Sequence, residues 1–357
     1  MEKEFAIKPI FELTIAGKNV TQDISEFLSS VEYTDKLEDE SDEVQLVLDD
    51  ISGVWHSTWY PQQGDSLTLK MGYKDNMLDC GEFEIDEIEL RGQPDTMTVK
   101  AIAAAINKDL RTKKSVAYEK QTLKKIAQKI ADKHSFTLVG DTSRLASIEI
   151  GRKTQNNESD LSFLANLSKR YGIVFSVRGK QLVFLNAEDL EKSNSIMTFK
   201  RTDLSTYSFK DKTADTFESA SVSQRDVQTN SVKEWKTTQD KNTIKKDDLV
   251  VSGRVENESQ AKAVTEGTLR TANKDKLTGS FSIDGNPLLV AGANIELQDF
   301  GAFSGKWTIK ESRHKIDIGG GYTSDVSLIK GMRPKTIQSA ISKNGSSQQN
   351  WTKTTGL

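Results

Sequence analysis

Residues capable of chemistry are sparse in this chain of 357 residues, and their spacing completes no catalytic or metal-binding motif. The three histidines, His56, His134 and His314, stand far apart. None lies in the His-Glu-x-x-His spacing that sets two imidazoles on one helix face around zinc. The single cysteine, Cys80, rules out a Cys-rich zinc site. Gly279-Ser280-Phe281-Ser282-Ile283 is superficially similar to a nucleophile elbow but is not Gly-x-Ser-x-Gly. Gly301-Ala302-Phe303-Ser304-Gly305-Lys306-Trp307 is similar to a phosphate-binding loop. It has three residues between its glycines where four are needed, and Trp307 stands where Ser or Thr would hold magnesium. It reads as a hairpin turn. Glu38, Asp39, Glu40, Asp42 and Glu43 could bind calcium, but their spacing is not that of an EF-hand, and such runs are usually solvated loops. A carboxylate pair for glycoside hydrolysis need only meet in space, and nothing in the sequence marks one out. Arg111, Lys113, Lys114, Lys120, Lys124, Lys125 and Lys129 could touch phosphate, or form the wet side of a helix. The expectation is no catalytic residue, no cofactor-binding residue and no metal ligand.

His314 is the histidine whose place is easiest to argue. It lies in Ile309-Lys310-Glu311-Ser312-Arg313-His314-Lys315-Ile316, an alternating stretch. The expectation is a half-buried strand histidine that fills space and hydrogen-bonds a neighbouring carbonyl. Work as a general base or metal ligand would need a carboxylate or a second histidine beside it. Glu311 is at odd spacing and points to the other face of the strand.

The elements that must position these residues change character along the chain. Residues 5–20 alternate around Phe5, Ile7, Phe11, Leu13 and Ile15, with a turn at Ala16-Gly17-Lys18-Asn19. Strands are expected at Val44–Leu48, Leu67–Met71, Gly81–Leu90 and Thr96–Ile102, separated by turn-forming residues. The period then shifts. Thr122 can cap a helix with the apolar stripe Leu123, Ile126, Ala127, Ile130 and Ala131. Ser159 can cap a second, with Asp160 in its first turn, Leu161, Leu164, Leu167 and Tyr171 inward, and Gly172 as its stop. A hairpin, Ile173–Val177 with Gln181–Leu185, follows. Strands return at Ser219–Arg225 and Ser231–Thr237. A polar loop at 238–248 precedes a helix, Glu258–Lys274, with Asn257 as its cap and Ala261, Val264, Leu269 and Ala272 on one face. The fold class expected is multidomain, β-rich α+β, with two similar β-barrel domains flanking a small α+β domain. The boundaries are 1–109 for the first barrel, 110–195 for the inserted α+β domain and 196–332 for the second barrel with one helix. A polar tail follows at 333–357, ordered by a partner.

The two β-rich ends repeat. Gly64-Asp65-Ser66-Leu67-Thr68-Leu69-Lys70 matches Gly292-Ala293-Asn294-Ile295-Glu296-Leu297-Gln298. Gly81–Ile88 matches Gly305–Ser312, placing His314 where the first copy has Leu90. Asp95–Lys100 matches Tyr322–Ser327. The three blocks keep their order at separations of 224 to 228 residues, the mark of a duplicated unit. A trimer would present six such units.

Composition narrows the classes further. The length calls for two to four domains. One cysteine permits no disulfide framework, the charged N-terminus carries no secretory h-region, and no run is long enough to span a bilayer. Net charge is −3 but uneven: −15 over residues 1–110, +8 over 111–200 and +4 over the remainder. Unlike faces of this kind suit self-association or different partners.

Several segments together resemble the phage late control D family, tail hub proteins of contractile phages related to the N-terminal part of the VgrG spike protein of type VI secretion. They are Gly64-Asp65 through Gly72-Tyr73, Gly81–Ile88, Pro94-Asp95-Thr96, Leu110-Arg111-Thr112, Ser115, Tyr118 and Gln121-Thr122-Leu123. Asn157–Leu164 with Arg170-Tyr171-Gly172 and Gly179 is the most distinctive. Ala291-Gly292, Gly305-Lys306-Trp307, His314 and Gly320-Gly321-Tyr322-Thr323 complete the pattern, which runs from residue 5 to 332.

The resemblance implies a non-enzymatic baseplate hub, a homotrimer whose two barrels per chain form a pseudo-sixfold ring. Its implied partners are a trimeric spike protein, a hexameric tail tube protein, and tape measure and other baseplate proteins. It implies no membrane insertion and no specific nucleic-acid binding. The implied location is the virion tail baseplate or a phage-like particle, assembled in the bacterial cytoplasm. Spike and lytic activity are expected in separate proteins, since this chain ends at Leu357. Two alternatives stand beside it: a tail-associated peptidoglycan hydrolase, and a nucleic-acid-binding barrel protein, for which the acidic first region is a poor surface.

Overall fold

The computed structural model describes residues 8–38, 41–103, 108–214, 216–226, 231–238, 247–252, 255 and 258–330. The expected tail at 333–357, the cap at Asn257, Phe5, Ile7 and most of the polar loop at 238–248 lie outside the described residues.

The first unit comprises β1 (Ile10–Ile15), β2 (Lys18–Asn19), α1 (Thr21–Ser25), β3 (Leu28–Lys36), β4 (Glu43–Asp49), β5 (Ser66–Tyr73), β6 (Asn76–Arg91) and β7 (Thr96–Ala103). Alternation decides its inside. Val44, Leu46 and Leu48 of β4, and Leu67, Leu69 and Met71 of β5, are buried with Phe83, Ile85 and Val99 in one apolar core.

A helical module follows: α2 (Lys108–Arg111), β8 (Lys114–Thr122), α3 (Leu123–Lys133), β9 (Thr137–Gly140), α4 (Thr142–Ser147), β10 (Glu149–Glu158), α5 (Asp160–Arg170), β11 (Ile173–Arg178), β12 (Gln181–Asn186) and α6 (Ala187–Lys192). Thr122 caps α3 through its Oγ1, 3.3 Å from the Lys125 amide, and the stripe Leu123, Ile126, Ala127, Ile130 and Ala131 is fully buried. Ser159 caps α5 at 3.1 Å from the Ser162 amide, and Gly172 takes φ +66° past its end. The inward face of α5 is rotated from the expected one. Phe163 replaces Leu161, which is half-buried, because the Phe163 ring stacks on Tyr118 with centroids 5.3 Å apart.

The last third comprises β13 (Ser195–Lys200), β14 (Thr206–Asp211), β15 (Ser219–Asp226), β16 (Ser231–Thr238), β17 (Asp248–Val250), α7 (Glu258–Asn273), β18 (Leu277–Asp284), β19 (Asn294–Gln298), β20 (Gly305–Asp317) and β21 (Gly321–Ile329). A second apolar core gathers Phe199, Phe281, Ile295, Leu297, Trp307, Ile309, Val326 and Leu328.

Two features differ from the sequence expectation. The β-rich ends are joined in one hydrogen-bonded sheet of thirteen strands, because β20 outruns its own unit and pairs with β3 of the first. The described apolar residues between 216 and 273 do not belong with the second β-rich core. Ala220, Val222, Val251, Ala261, Val264 and Leu269 share the core of the helical module with Leu123, Leu164 and Phe184. The inserted region is thus built from two stretches of chain, and the helix assigned to the second barrel packs with the inserted module. Periodicity identifies an apolar face but not the core it enters.

Candidate functional site

The feature most able to carry a function is the duplicated sheet itself, and its register shows how far the duplication extends. In the first unit Leu67 pairs with Phe83, Ile85 with Ala101, and Ile88 with Val99. In the second, Ile295 pairs with Trp307, Ile309 with Leu328, and Ser312 with Val326. Each is the same pair in the sequence repeat. Both long strands skip one residue at the same point, between Ile85 and Glu87 and between Ile309 and Glu311. A bulge is a specific backbone device, so its recurrence is strong evidence of common construction. The entry loops match too. The Gly64 amide donates to Ile85 O at 2.8 Å, and the Gly292 amide to Ile309 O at 2.9 Å. Both glycines take positive φ, +90° and +87°, a conformation that favours glycine.

The match continues outward. β4 pairs with β7 as β18 pairs with β21, and β3 lies on β4 as β14 lies on β18. Register sets Tyr33-Thr34-Asp35-Lys36 equivalent to Phe209-Lys210-Asp211-Lys212, a fourth repeated block. Its separation is 176 residues, because the stretch holding β15 to β17 and α7 is inserted between β14 and β18 only. Each unit is therefore built on six strands, in the orders β1-β5-β6-β7-β4-β3 and β13-β19-β20-β21-β18-β14, with the two-residue β2 added on β1 in the first. One strand differs in sense: β1 runs antiparallel to β5, β13 parallel to β19.

Polar groups clamp these parts together. Asp35 of β3 is buried; its Oδ1 accepts from Arg178 Nη2 at 3.1 Å and its Oδ2 from the Ala291 amide at 2.7 Å. Burial raises the pKa of Asp35 against the opposing pull of Arg178. Asp42 accepts from the Lys36 amide at 3.0 Å, and burial together with the charge of Asp35 raises its pKa to about 6. Lys274, the residue just after α7, pairs with Glu38, tying the end of the insertion to the loop after β3.

The histidines are not brought together. His56 donates through Nδ1 to the buried Asp50, 2.5 Å away, which also accepts from the Trp55 amide at 2.8 Å. This folds the loop after β4. His134 donates through Nε2 to Asp160 Oδ2 at 2.8 Å. Asp160 is fully buried; burial alone would raise its pKa, but bonds from Lys114, His134 and Gln155 outweigh it and hold it below the usual range. His314 is fully buried rather than half-buried. Its Nε2 donates to Leu289 O at 2.9 Å, while Tyr322 Oη donates to Nδ1 at 2.8 Å. Its ring also stacks on Tyr33, with centroids 6.3 Å apart. Burial pushes its pKa down to about 4, so the ring is neutral. The alternation that suggested half-burial missed the second covering strand, β3.

The motif-like stretches are structural. Gly279 to Ile283 lies within β18, an extended strand with no strand-to-helix turn. Gly301–Phe303 is a single 3-10 turn leading into β20, not into a helix. Of the acidic run, Glu38 and Asp42 are engaged as above, and Asp39 and Glu40 lie outside the described residues. Lys114 serves Asp160, and Lys129 stands over the Tyr118 ring at 5.6 Å. Among the described residues no three His, Cys, Asp or Glu gather as a metal ion would need.

Similarity to known proteins follows the same outline. The probable baseplate hub protein of Escherichia phage 186 is 33% identical over 184 residues, 51% of this chain and 46% of that protein. Its counterpart in Escherichia phage P2 is 33% identical over 182 residues, with the same shares. The chain spans about half the length of these curated relatives. The prophage MuSo2 43 kDa tail protein of Shewanella oneidensis shares the fold at TM-score 0.69 and 13% identity, over 90% of this chain and 98% of that one. So does the tail protein of Neisseria meningitidis MC58, at 0.68 and 11%, over 90% and 97%. The type VI secretion component c3393 of E. coli, described as similar to T4 tail proteins gp27 and gp5, aligns at 0.52 and 14%, over 87% and 77%. A family model for the phage tail baseplate hub (GPD) matches residues 81–319, and the chain belongs to that family.

Proposed function

We propose that this chain is the structural hub of a contractile phage tail or phage-like injection particle. Three copies form a ring of six similar β-units, each unit acting as one barrel. One side receives a hexameric tail tube and the other a trimeric spike, with tape measure and other baseplate proteins around them. The observation that carries this reading is the register-identical duplication. A tube with sixfold symmetry needs six equivalent docking edges, and a spike with threefold symmetry needs three; three chains of two units provide both. Docking by strand addition draws on main-chain hydrogen bonds, which tolerate two units of different sequence. The chain performs no reaction in this role and works in the virion tail. Light scattering tests it: a mass three times 39.7 kDa, alone or with the spike, is expected. A monomer at every concentration, with and without spike, would sink the proposal.

A further inference from the structure

Among the described residues one strand pairing has no counterpart within the chain. The strand at the end of unit one's order, β3, lies against the far half of the long strand of unit two, β20, with Tyr33 opposite His314, Thr34 opposite Arg313 and Lys36 opposite Glu311. The equivalent of β3 in unit two is β14; the equivalent of that far half of β20 is Glu87–Arg91 of β6. Among the described residues β14 pairs only with β18, and Glu87–Arg91 pairs only with β7. Their burial agrees with a missing neighbour. β3 is largely buried, whereas β14 is exposed at five of its six residues, Tyr207 included. His314 is fully buried under Tyr33, whereas its equivalent Leu90, an apolar residue, is 51% exposed.

We infer that β14 of one chain pairs antiparallel with Glu87–Arg91 of β6 in a second copy of this chain, repeating between chains the β3–β20 pairing within each. The inference rests on the trimeric reading above and names its interface. Equivalence fixes the register: Phe209 opposite Leu90, Lys210 opposite Glu89, and Lys212 opposite Glu87. Charge supports it independently. Two lysines face two glutamates, as Lys36 faces Glu311 in the internal pairing, and opposite charges directly across a ladder are favourable. Glu87 and Glu89 now face Lys100 and Arg91 at the exposed surface, at 3.3 and 2.9 Å, pairs weak enough to rearrange. Leu90 would be covered as His314 is. The contact is head-to-tail, so it gives a closed ring of three when three equal steps complete one full turn with no rise along the axis. Alternate internal and external pairings make six units from three chains.

The full-length double variant Glu89→Cys/Lys210→Cys tests this under mild oxidation, with light scattering of the unaltered chain run alongside. Native Cys80 is buried and gives little background. Linked two-chain and three-chain species are expected from the double variant, and none from either single variant. A trimer by scattering in which this pair stays unlinked, or links no better than Glu82→Cys/Lys210→Cys, overturns the interface while leaving the trimer standing. A chain that is monomeric throughout overturns both.

Discussion

Arg178 Nη2 and Asp35 Oδ1 lie 3.1 Å apart, joining the last residue of β11 in the helical module to β3 in the first unit. The other oxygen of Asp35 takes the Ala291 amide, from the loop entering β19. Three separately built parts meet at one carboxylate. The pairing also orients the inserted module relative to the strand that stitches the two units together.

Removing Arg178 should therefore loosen the junction rather than any one core. Arg178→Ala leaves a buried carboxylate facing the Ala291 amide alone. Loss of a partner from a buried pair costs several kcal/mol, and because Arg178 is 38% exposed, water can enter; a loss of about 2 kcal/mol follows from that solvent screening. Denaturant titration should show this loss. An unchanged midpoint would mean that the junction is held by apolar contacts alone.

Asp42 should make the folded chain less stable as pH rises. Its pKa is about 6 in the folded chain against 3.8 ordinarily, so the folded state holds a proton that the unfolded state has released. Stability from this group is complete below pH 3.8 and is lost as pH rises through 6, by about 3 kcal/mol at 1.36 kcal/mol per unit. Asp42→Asn should raise the melting temperature at pH 7.5 and leave it unchanged at pH 3.5. Equal effects at both pH values would assign the shift elsewhere.

Much of the fold was legible from residue order. The three repeat blocks, the stripe of α3 and the caps Thr122 and Ser159 are local signals, and local signals survive in the folded chain. The fourth block, Tyr33–Lys36 against Phe209–Lys212, is equally plain once aligned. It does not keep the separation of the other three because an insertion lies beside only one copy. The membership of α7 was not legible, since an amphipathic face specifies that it is covered and not by what. Nor were the buried charges. Asp160 resembles an ordinary first-turn acid, and its burial depends on bonds from Gln155 nearby and from Lys114 and His134, 46 and 26 residues away.

Leu164→Asp should now unsettle more than residues 110–195. Leu164 is fully buried in the core that also holds Val222, Ala261 and Val264. An unpaired buried carboxylate there costs several kcal/mol. Hydrogen exchange should show faster exchange in α7 and β15 as well as in α3 and α5, with the first β-unit protected. Exchange rising in α3 and α5 alone would separate the two stretches into independent folding units.

His314 should tie assembly of the two β-units to pH in the opposite sense from Asp42. Its neighbours from every packed element are Tyr33 on β3, Ser312 on its own strand, Tyr322 and Ser324 on β21, and the Leu289 carbonyl. None is a carboxylate, so nothing nearby supports a positive ring, and the folded pKa falls to about 4 from 6.5. Above pH 6.5 both folded and unfolded chains hold a neutral ring and the full stability is present. As pH falls from 6.5 through 4 the unfolded chain takes the proton first, and about 3 kcal/mol is lost at 1.36 kcal/mol per unit. Gln at this position can donate to Leu289 O and accept from Tyr322 without titrating. His314→Gln should cost about 1 kcal/mol at pH 7.5, the scale of one altered hydrogen bond, and should flatten the decline toward pH 4. At pH 4 the variant should therefore equal or exceed the parent chain. A variant that keeps the parent's acid sensitivity would show that the buried ring is not its source.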